Sequence, residues 1–146
     1  MVAQFKVNPR LTAKVAEIYN RLDSKIRGKL QSAQKCSSCG KCCNFAKFDH
    51  HLFITTPEMM YLTAKLGPEN IKPMTTAICP YNSNGECTIY RHRFASCRIF
   101  HCIANADFQS KLTESTLKEL KSVCADFQIP YRYTKLATAL NNFTSD

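Results

Sequence analysis

Apolar residues recur every three or four positions near the start of the chain, and polar residues fill the positions between them. This spacing places the apolar side chains on one face of an α-helix. Asn8 can cap the free backbone N–H groups of a helix that begins with Pro9. The pattern predicts a helix from residue 9 to about 30. Its apolar face consists of Leu11, Val15, Ile18, Leu22 and Ile26.

The middle of the chain has shorter patterns. The stretch "HLFIT" is rich in apolar and β-prone residues and predicts a short strand. Thr56 and Pro57 follow as the expected cap and first residue of a helix that ends near Gly67. Residues 67 to 87 contain three prolines and the turn-like "NSNG", so we expect loop and turn there.

Helical spacing returns near the C-terminus. It involves Leu117, Leu120, Val123, Cys124 and Phe127. The "IPY" tripeptide should end this helix before a last one that contains Tyr133, Leu136, Ala137 and Leu140.

These patterns predict a mainly α fold in a small single domain, with helices around an irregular cysteine-rich metal-binding centre. Its three parts are an N-terminal basic helix over about 9–30, a cysteine-cluster core over 36–102 and a C-terminal helical segment over about 113–142.

The formal net charge is +9, and much of the excess lies in residues 1 to 35. Its cations there are Lys6, Arg10, Lys14, Arg21, Lys25, Arg27, Lys29 and Lys35. On the first helix they fall largely outside the apolar face, so a solvated basic face is favoured over a nucleic-acid site. A protein partner, either a redox enzyme or a substrate enzyme, is expected, and no membrane partner.

Nine cysteines are unusual for a chain of 146 residues. No export signal and no long apolar stretch is recognisable, so we expect a cytoplasmic protein. Thiols stay reduced in that compartment, and a high cysteine density then indicates metal binding rather than disulfides.

Eight of the cysteines form two groups along the chain. The first group is Cys36, Cys39, Cys42 and Cys43, and the second is Cys79, Cys87, Cys97 and Cys102. We predict these eight as the metal and cofactor ligands. Cys124 lies on the apolar face of its predicted helix, where a buried thiol commonly packs as a small hydrophobe, and it is left out.

The spacing favours an iron–sulfur cluster, with [4Fe-4S] as the expected form, over zinc. Structural zinc sites usually pair two C-x-x-C knuckles, and only the first group contains that spacing. In contrast, "CSSCGKC" is a C-x-x-C-x-x-C run, and Cys79 is followed by Pro80, as in bacterial ferredoxins. Zinc remains the alternative metal.

Cys42 and Cys43 are adjacent, and neighbouring side chains diverge in almost any backbone conformation. We therefore expect one of them to complete the C-x-x-C-x-x-C run while the other serves a second centre or holds the fold. The histidines are His50, His51, His92 and His101, and we expect them to lie outside the ligand set because cysteines are abundant.

Three stretches in order, "CSSCGKCC", "LFITTPEMMYL" and "CPYNSNGECTIYRHRFASCRIF", resemble the YkgJ-type cysteine-cluster family. It is also called the CxxCxxCC or zinc- or iron-chelating domain, and it includes flagellin lysine N-methylases. The resemblance covers about residues 36 to 102. It implies a metal-binding set of Cys36, Cys39, Cys42, Cys43, Cys79, Cys87 and Cys97. The family commonly has Arg-Pro after the "IY" segment, whereas Arg93 is followed by Phe94 here.

Whether the protein is an enzyme stays open at the sequence level. Its four glycines are too scattered for a nucleotide-binding loop, and it has no H-E-x-x-H pattern. The leading hypothesis is a small iron–sulfur protein that transfers electrons or assists a partner enzyme. The alternatives are a structural zinc-binding interaction module and the metal-dependent component of a protein methyltransferase system.

Overall fold

Helices dominate the fold. A computed structural model describes residues 8–29, 52–76, 78–83, 86–99 and 106–142, of which 67% are helical. The α-helices in these residues are α1 (Pro9–Lys29), α2 (Thr56–Leu66), α3 (Ala95–Ile99), α4 (Ala106–Asp126) and α5 (Leu136–Asn141). Short 3-10 helices cover Pro68–Asn70 and Tyr90–His92. The prediction of a mainly α fold in a small single domain is confirmed.

Helix α1 follows the predicted pattern closely. The Asn8 side chain caps it, because its Oδ1 accepts the N–H groups of Arg10 at 3.1 Å and Leu11 at 3.2 Å. The predicted apolar face is buried at Leu11, Val15, Ile18 and Leu22. Its described cations are exposed, namely Arg10, Lys14, Arg21, Lys25 and Arg27. The helix therefore packs by its apolar face and presents a basic face to solvent.

Helix α2 begins one residue earlier than predicted. Thr56 is already its first helical residue, and Thr55 occupies the cap position with an extended backbone. At the other end, Gly67 has φ 88°, a conformation that favours glycine, and its N–H closes the last turn on the Thr63 carbonyl at 2.9 Å. The predicted end of this helix near Gly67 is confirmed.

The predicted strand is present as β1 (Phe53–Thr55), but its partner was not predicted. It pairs antiparallel with β4 (Tyr133–Lys135), with Ile54 opposite Thr134. The prediction that Tyr133 belongs to the last helix is therefore wrong, because its backbone pairs with Thr55. The Tyr133 ring also stacks on the Phe53 ring, with the two centroids 5.0 Å apart. The last helix begins only at Leu136, after this strand.

The described residues of the segment 67–87 are mainly loop and turn, as predicted, and they include the two-residue strands β2 (Asn82–Ser83) and β3 (Glu86–Cys87). Helix α3 was not predicted, because five residues are too few to show a periodic pattern. Helix α4 begins well before the predicted start near residue 113, since Phe108 and Leu112 extend its apolar stripe by two turns.

Two apolar clusters occupy the interior, and α2 contributes to both. The cysteine-side cluster gathers β1, α5 and the loop segments, and the helix-side cluster gathers α1, α3 and α4. The first consists of Leu52, Ile54, Met59, Leu62, Met74, Cys79, Tyr81, Ile89, Phe94, Leu136 and Leu140. The second consists of Leu11, Val15, Ile18, Tyr19, Leu22, Tyr61, Ala95, Ile99, Leu112, Leu120 and Val123. None of the helices in the described ranges is long and apolar enough to cross a membrane.

Candidate metal centre

The predicted ligands divide between described and undescribed parts of the chain. The structure places Cys79, Cys87 and Cys97. The other five lie outside the described residues, namely Cys36, Cys39, Cys42, Cys43 and Cys102. The irregular cysteine-rich centre predicted from the sequence is therefore described only through three of the four cysteines in its second group.

Cys79 and Cys87 are held together by a small hairpin. The Cys79 carbonyl accepts the Asn82 N–H at 3.0 Å, and Asn82 lies directly opposite Cys87 in the β2–β3 pair. Tyr81 strengthens the turn, because its carbonyl accepts both the N–H and the hydroxyl of Thr88 at 2.7 Å. Two predicted ligands eight positions apart in sequence thus belong to one compact unit.

Cys97 lies on α3. It is half-buried and packs against the cysteine-side cluster, of which Cys79 is a buried member and against which Cys87 also packs. Its neighbour Ser96 donates a hydrogen bond from Oγ to the Phe53 carbonyl at 3.0 Å, which fixes α3 against β1. Three predicted ligands, two from the hairpin and one from α3, therefore contact the same apolar cluster.

This donor set fits a thiolate-bound metal in its chemistry. Thiolates bind zinc and iron–sulfur clusters, and an apolar surround restricts solvent access to such centres. Within the described ranges alone, no group of three or more cysteine, histidine or acidic side chains could hold a metal ion.

A buried carboxylate fixes the start of α3. Glu58 is 2% exposed and accepts four hydrogen bonds. Its Oε2 accepts the Ala95 N–H at 2.6 Å and the Tyr19 hydroxyl at 3.1 Å. Its Oε1 accepts the N–H and hydroxyl of Thr55 at 3.2 and 3.0 Å. One side chain of α2 thus joins β1, α1 and α3.

Burial governs the protonation of this carboxyl. It raises the pKa of Glu58 above its usual value, and the hydrogen bonds from Ala95, Thr55 and Tyr19 act in the opposite direction without cancelling the shift. Burial also raises the pKa of the Tyr19 phenol well above its usual value, and the nearby Glu58 charge adds to that effect. Tyr19 therefore stays protonated and can donate to Glu58.

Arg98 anchors the other end of α3. Its side chain is 5% exposed, and Nη1 donates to Asp23 Oδ2 of α1 at 2.6 Å. Nε donates to the Arg93 carbonyl and Nη2 to the Arg91 carbonyl, each at 2.9 Å. The guanidinium also stacks over the Tyr19 ring, 4.2 Å from its centroid. Since Arg98 directly follows Cys97, these contacts set the position of a predicted ligand.

The match to a known family covers most of the chain. The model of the family described as "CxxCxxCC: Putative zinc- or iron-chelating domain" matches residues 35–125. The chain belongs to the CxxCxxCC family. This confirms the resemblance seen in the sequence, and the match runs beyond Cys102 into α4. Searches of curated proteins and of solved structures found no match.

Cys124 is a free cysteine in the C-terminal part of the CxxCxxCC match. It is buried on α4, with Sγ 4.0 Å from the Pro130 carbonyl oxygen. Burial raises the pKa of its thiol to about 11, so the thiol stays protonated at neutral pH. Since metals bind the thiolate, this environment agrees with the prediction that Cys124 packs as a small hydrophobe.

His92 is the one histidine within the described ranges of the CxxCxxCC domain. Its Nδ1 lies 3.3 Å from the Tyr61 hydroxyl, and the two rings meet edge to face. Burial lowers the pKa of His92, and the neighbouring cations Lys65, Arg98 and Arg91 lower it further. His50, His51 and His101 lie outside the described residues.

Sequence reasoning missed the polar network that supports Cys97 in this CxxCxxCC domain. Two local signals were available. Thr55 and Glu58 have the spacing of a capping box, in which the acidic side chain returns to the backbone of the cap residue. Arg98 lies in the "CR" segment next to a predicted ligand. Neither signal names Asp23 or Tyr19 as the partners, because both belong to a distant helix.

Proposed function

We propose that this CxxCxxCC-family protein holds an iron–sulfur cluster, of the [4Fe-4S] type, and transfers electrons or assists a partner enzyme. The description of the family as a zinc- or iron-chelating domain supports metal binding in general. The observation that carries the proposal is the arrangement of Cys79, Cys87 and Cys97 around one apolar cluster. Cys79 belongs to this cluster and Cys87 and Cys97 pack against it, so the C-x-x-C-x-x-C run has candidate partners from the hairpin and from α3.

The proposed ligands are the cysteines of both groups. They are Cys36, Cys39, Cys42, Cys43, Cys79, Cys87, Cys97 and Cys102. The close run supplies neighbouring thiolates, and the hairpin and α3 supply more distant ones. An iron–sulfur cluster, when bound, exchanges single electrons. The contribution of the chain is to hold the thiolates, to exclude water through the cysteine-side cluster, and to fix Cys97 through Glu58 and Arg98.

Anaerobic purification tests this proposal directly. The protein should be brown, contain iron and acid-labile sulfide in equal amounts, and absorb broadly at about 400 nm with bleaching on reduction. The matched variants are Cys97→Ser, which removes a proposed ligand, and Cys124→Ser, which removes a buried thiol outside the proposed set. Cys97→Ser should lower iron and sulfide together, whereas Cys124→Ser should retain both.

A structural zinc site is the second candidate, because the family description names zinc beside iron. Zinc bound by the same thiolates would leave the protein colourless and free of sulfide. Anaerobic protein with stoichiometric zinc and no sulfide would therefore replace the iron–sulfur proposal with this one.

A protein partner and a cytoplasmic location complete the proposal. Thiol ligands need a reducing compartment, which favours the cytoplasm. Exposed cations on α1, such as Lys14 and Lys25, suit an acidic protein surface. Nucleic acid is not favoured, and strongly salt-dependent retention of the purified protein on DNA would contradict that part of the proposal.

A further inference from the structure

A cleft of about 270 Å³ lies beside the buried Arg98. Among the described residues its walls come from α1, α2, α3 and the segment just before α3. Its lining includes Asp23, Tyr61, Tyr90, Arg91, Arg93 and Arg98, and these residues define the arginine cleft. Its size approaches that of a small-molecule site, which is typically about 300–1,000 Å³.

The arginine cleft has more positive than negative charge. Asp23 is the one acidic side chain in its described lining, and Arg98 already pairs with it at 2.6 Å. The charges of Arg91 and Arg93 are thus left in excess. No ion-pair partner of either occurs among the described residues. A cleft lined by two arginines that lack an acidic partner favours an anion.

The two arginine side chains differ in their contacts. Arg93 is fixed, because its Nε donates to the Tyr90 carbonyl at 3.0 Å and its guanidinium lies 3.9 Å from the Tyr90 ring centroid. Its terminal amino groups are not engaged by that hydrogen bond. Arg91 is exposed, and its hydrogen bond with Arg98 involves the Arg91 backbone carbonyl and not its side chain. The held guanidinium of Arg93 and the exposed guanidinium of Arg91 can together bind a planar or tetrahedral oxyanion.

The surroundings of the cleft are also positive. Burial lowers the pKa of His92, and the charges of Lys65, Arg98 and Arg91 lower it further. Lys65 lies 5.7 Å from the Tyr61 ring centroid, so it adds its charge next to the tyrosine wall of the cleft. The tyrosine rings provide apolar surface for the carbon skeleton of a ligand.

We propose that the arginine cleft binds a small organic anion that carries a carboxylate or phosphate group. Arg91 and Arg93 bind the oxyanion, while Tyr61 and Tyr90 contact the organic part. This inference goes beyond the proposed metal function, because none of these residues is a predicted metal ligand. It holds whether the protein carries iron–sulfur or zinc.

Titration calorimetry on the metal-loaded full chain tests the proposal with phenyl phosphate, benzoate and neutral phenol. At least one of the two anions should bind, at least about tenfold more tightly than phenol, and its identity decides between phosphate and carboxylate. Arg91→Gln should weaken that binding about tenfold, as expected for loss of a charge-assisted hydrogen bond. The Arg91 carbonyl that Arg98 uses is kept in this variant. Arg132→Gln, which removes another exposed arginine, should bind as the parent does.

Three results would overturn the proposal. Equal weakening by Arg91→Gln and Arg132→Gln would show general charge attraction instead of a site. Equal affinity for phenol and the anions would show an apolar cleft. Failure of the folded, metal-loaded protein to bind either anion at low salt would remove the site altogether.

Discussion

Arg98 donates to Asp23 at 2.6 Å, and this ion pair joins α3 to α1 across 75 positions of the sequence. The arginine is almost fully buried, whereas the aspartate side chain is 27% exposed. Because Cys97 directly precedes Arg98, the orientation of a proposed ligand depends on a residue of the first helix. The relationship explains how α3, only five residues long, can hold a defined position.

Arg98→Gln should destabilise the protein by about 2–4 kcal/mol. The substitution leaves Asp23 without its partner and two backbone carbonyls without their donor, and both losses are costly in a buried setting. The partial exposure of Asp23 keeps the effect below that of a fully buried pair. Urea unfolding measures the change, and metal content per folded chain should fall with it because Cys97 loses its support.

Arg21→Gln is the matched control for this prediction. Arg21 also pairs with an acidic side chain, Glu119, at 2.8 Å, but the Arg21 side chain is 51% exposed. Its loss should cost less than about 1 kcal/mol and leave the metal content unchanged. Equal destabilisation by the two variants would contradict the role assigned to Arg98.

Glu58 should give the protein a distinctive pH dependence. Its pKa is raised by burial, so the folded state holds the Glu58 proton at pH values where the unfolded chain has released it. The unfolding free energy of the parent, relative to Glu58→Gln, should therefore be highest below about pH 4.3 and decline as pH rises towards the raised pKa. Denaturant unfolding at several pH values measures this difference.

Glu17→Gln controls for the loss of one carboxylate. Glu17 lies on α1 with its side chain 58% exposed. As pH rises, the unfolding free energy of the parent should fall much more relative to Glu58→Gln than relative to Glu17→Gln. A parent that gains stability relative to Glu58→Gln over the same pH range would refute the raised pKa.

Local signals account for the parts of the fold that were predicted. Helix α1 follows from its repeated apolar spacing and the Asn8 cap, both of which are encoded within a few neighbouring residues. Tyr133 was misassigned because its strand is defined by pairing with Thr55, 78 positions earlier. Antiparallel pairing of three-residue strands depends on tertiary contacts that leave no periodic pattern.

The candidate site was also predictable only in part from the sequence. The cysteines were recognisable from their type and spacing, but their support was not. Glu58 serves Ala95 through a hydrogen bond between distant segments, and Arg98 requires Asp23 from α1. Such long-range polar contacts depend on how helices pack, so residue spacing alone does not reveal them.

Cys124→Ser should retain the full metal content. The thiol is buried and its pKa is raised to about 11, so little thiolate exists at neutral pH. The hydroxyl that replaces it should cost roughly 1–3 kcal/mol if it lacks a good partner in that apolar site. Native Cys124 should also react slowly with iodoacetamide at pH 8. Metal loss in the folded Cys124→Ser variant would move this residue into the ligand set.

Metal removal should unfold part of the chain. The hairpin that carries Cys79 and Cys87 has only two residues in each strand, and such a unit is marginal without tertiary support. If thiolate coordination joins it to α3, chelation should lower the melting temperature by several degrees and increase exchange of the Asn82 amide hydrogen. The α1 amides serve as the internal control. Unchanged melting and exchange after complete chelation would rule out metal-coupled folding of this region.

Cys42 and Cys43 should differ in function. Both lie outside the described residues, so the prediction rests on the divergence of neighbouring side chains. If one thiolate completes the ligand set of the C-x-x-C-x-x-C run, serine at that position should abolish a whole centre, with loss of its visible absorbance. Serine at the other position should lower the occupancy of a different centre or only destabilise the chain. Metal analysis and absorbance spectra of Cys42→Ser and Cys43→Ser, prepared side by side without oxygen, make the comparison. Identical losses of metal and absorbance in both variants would show that the two sulfurs serve one centre equally.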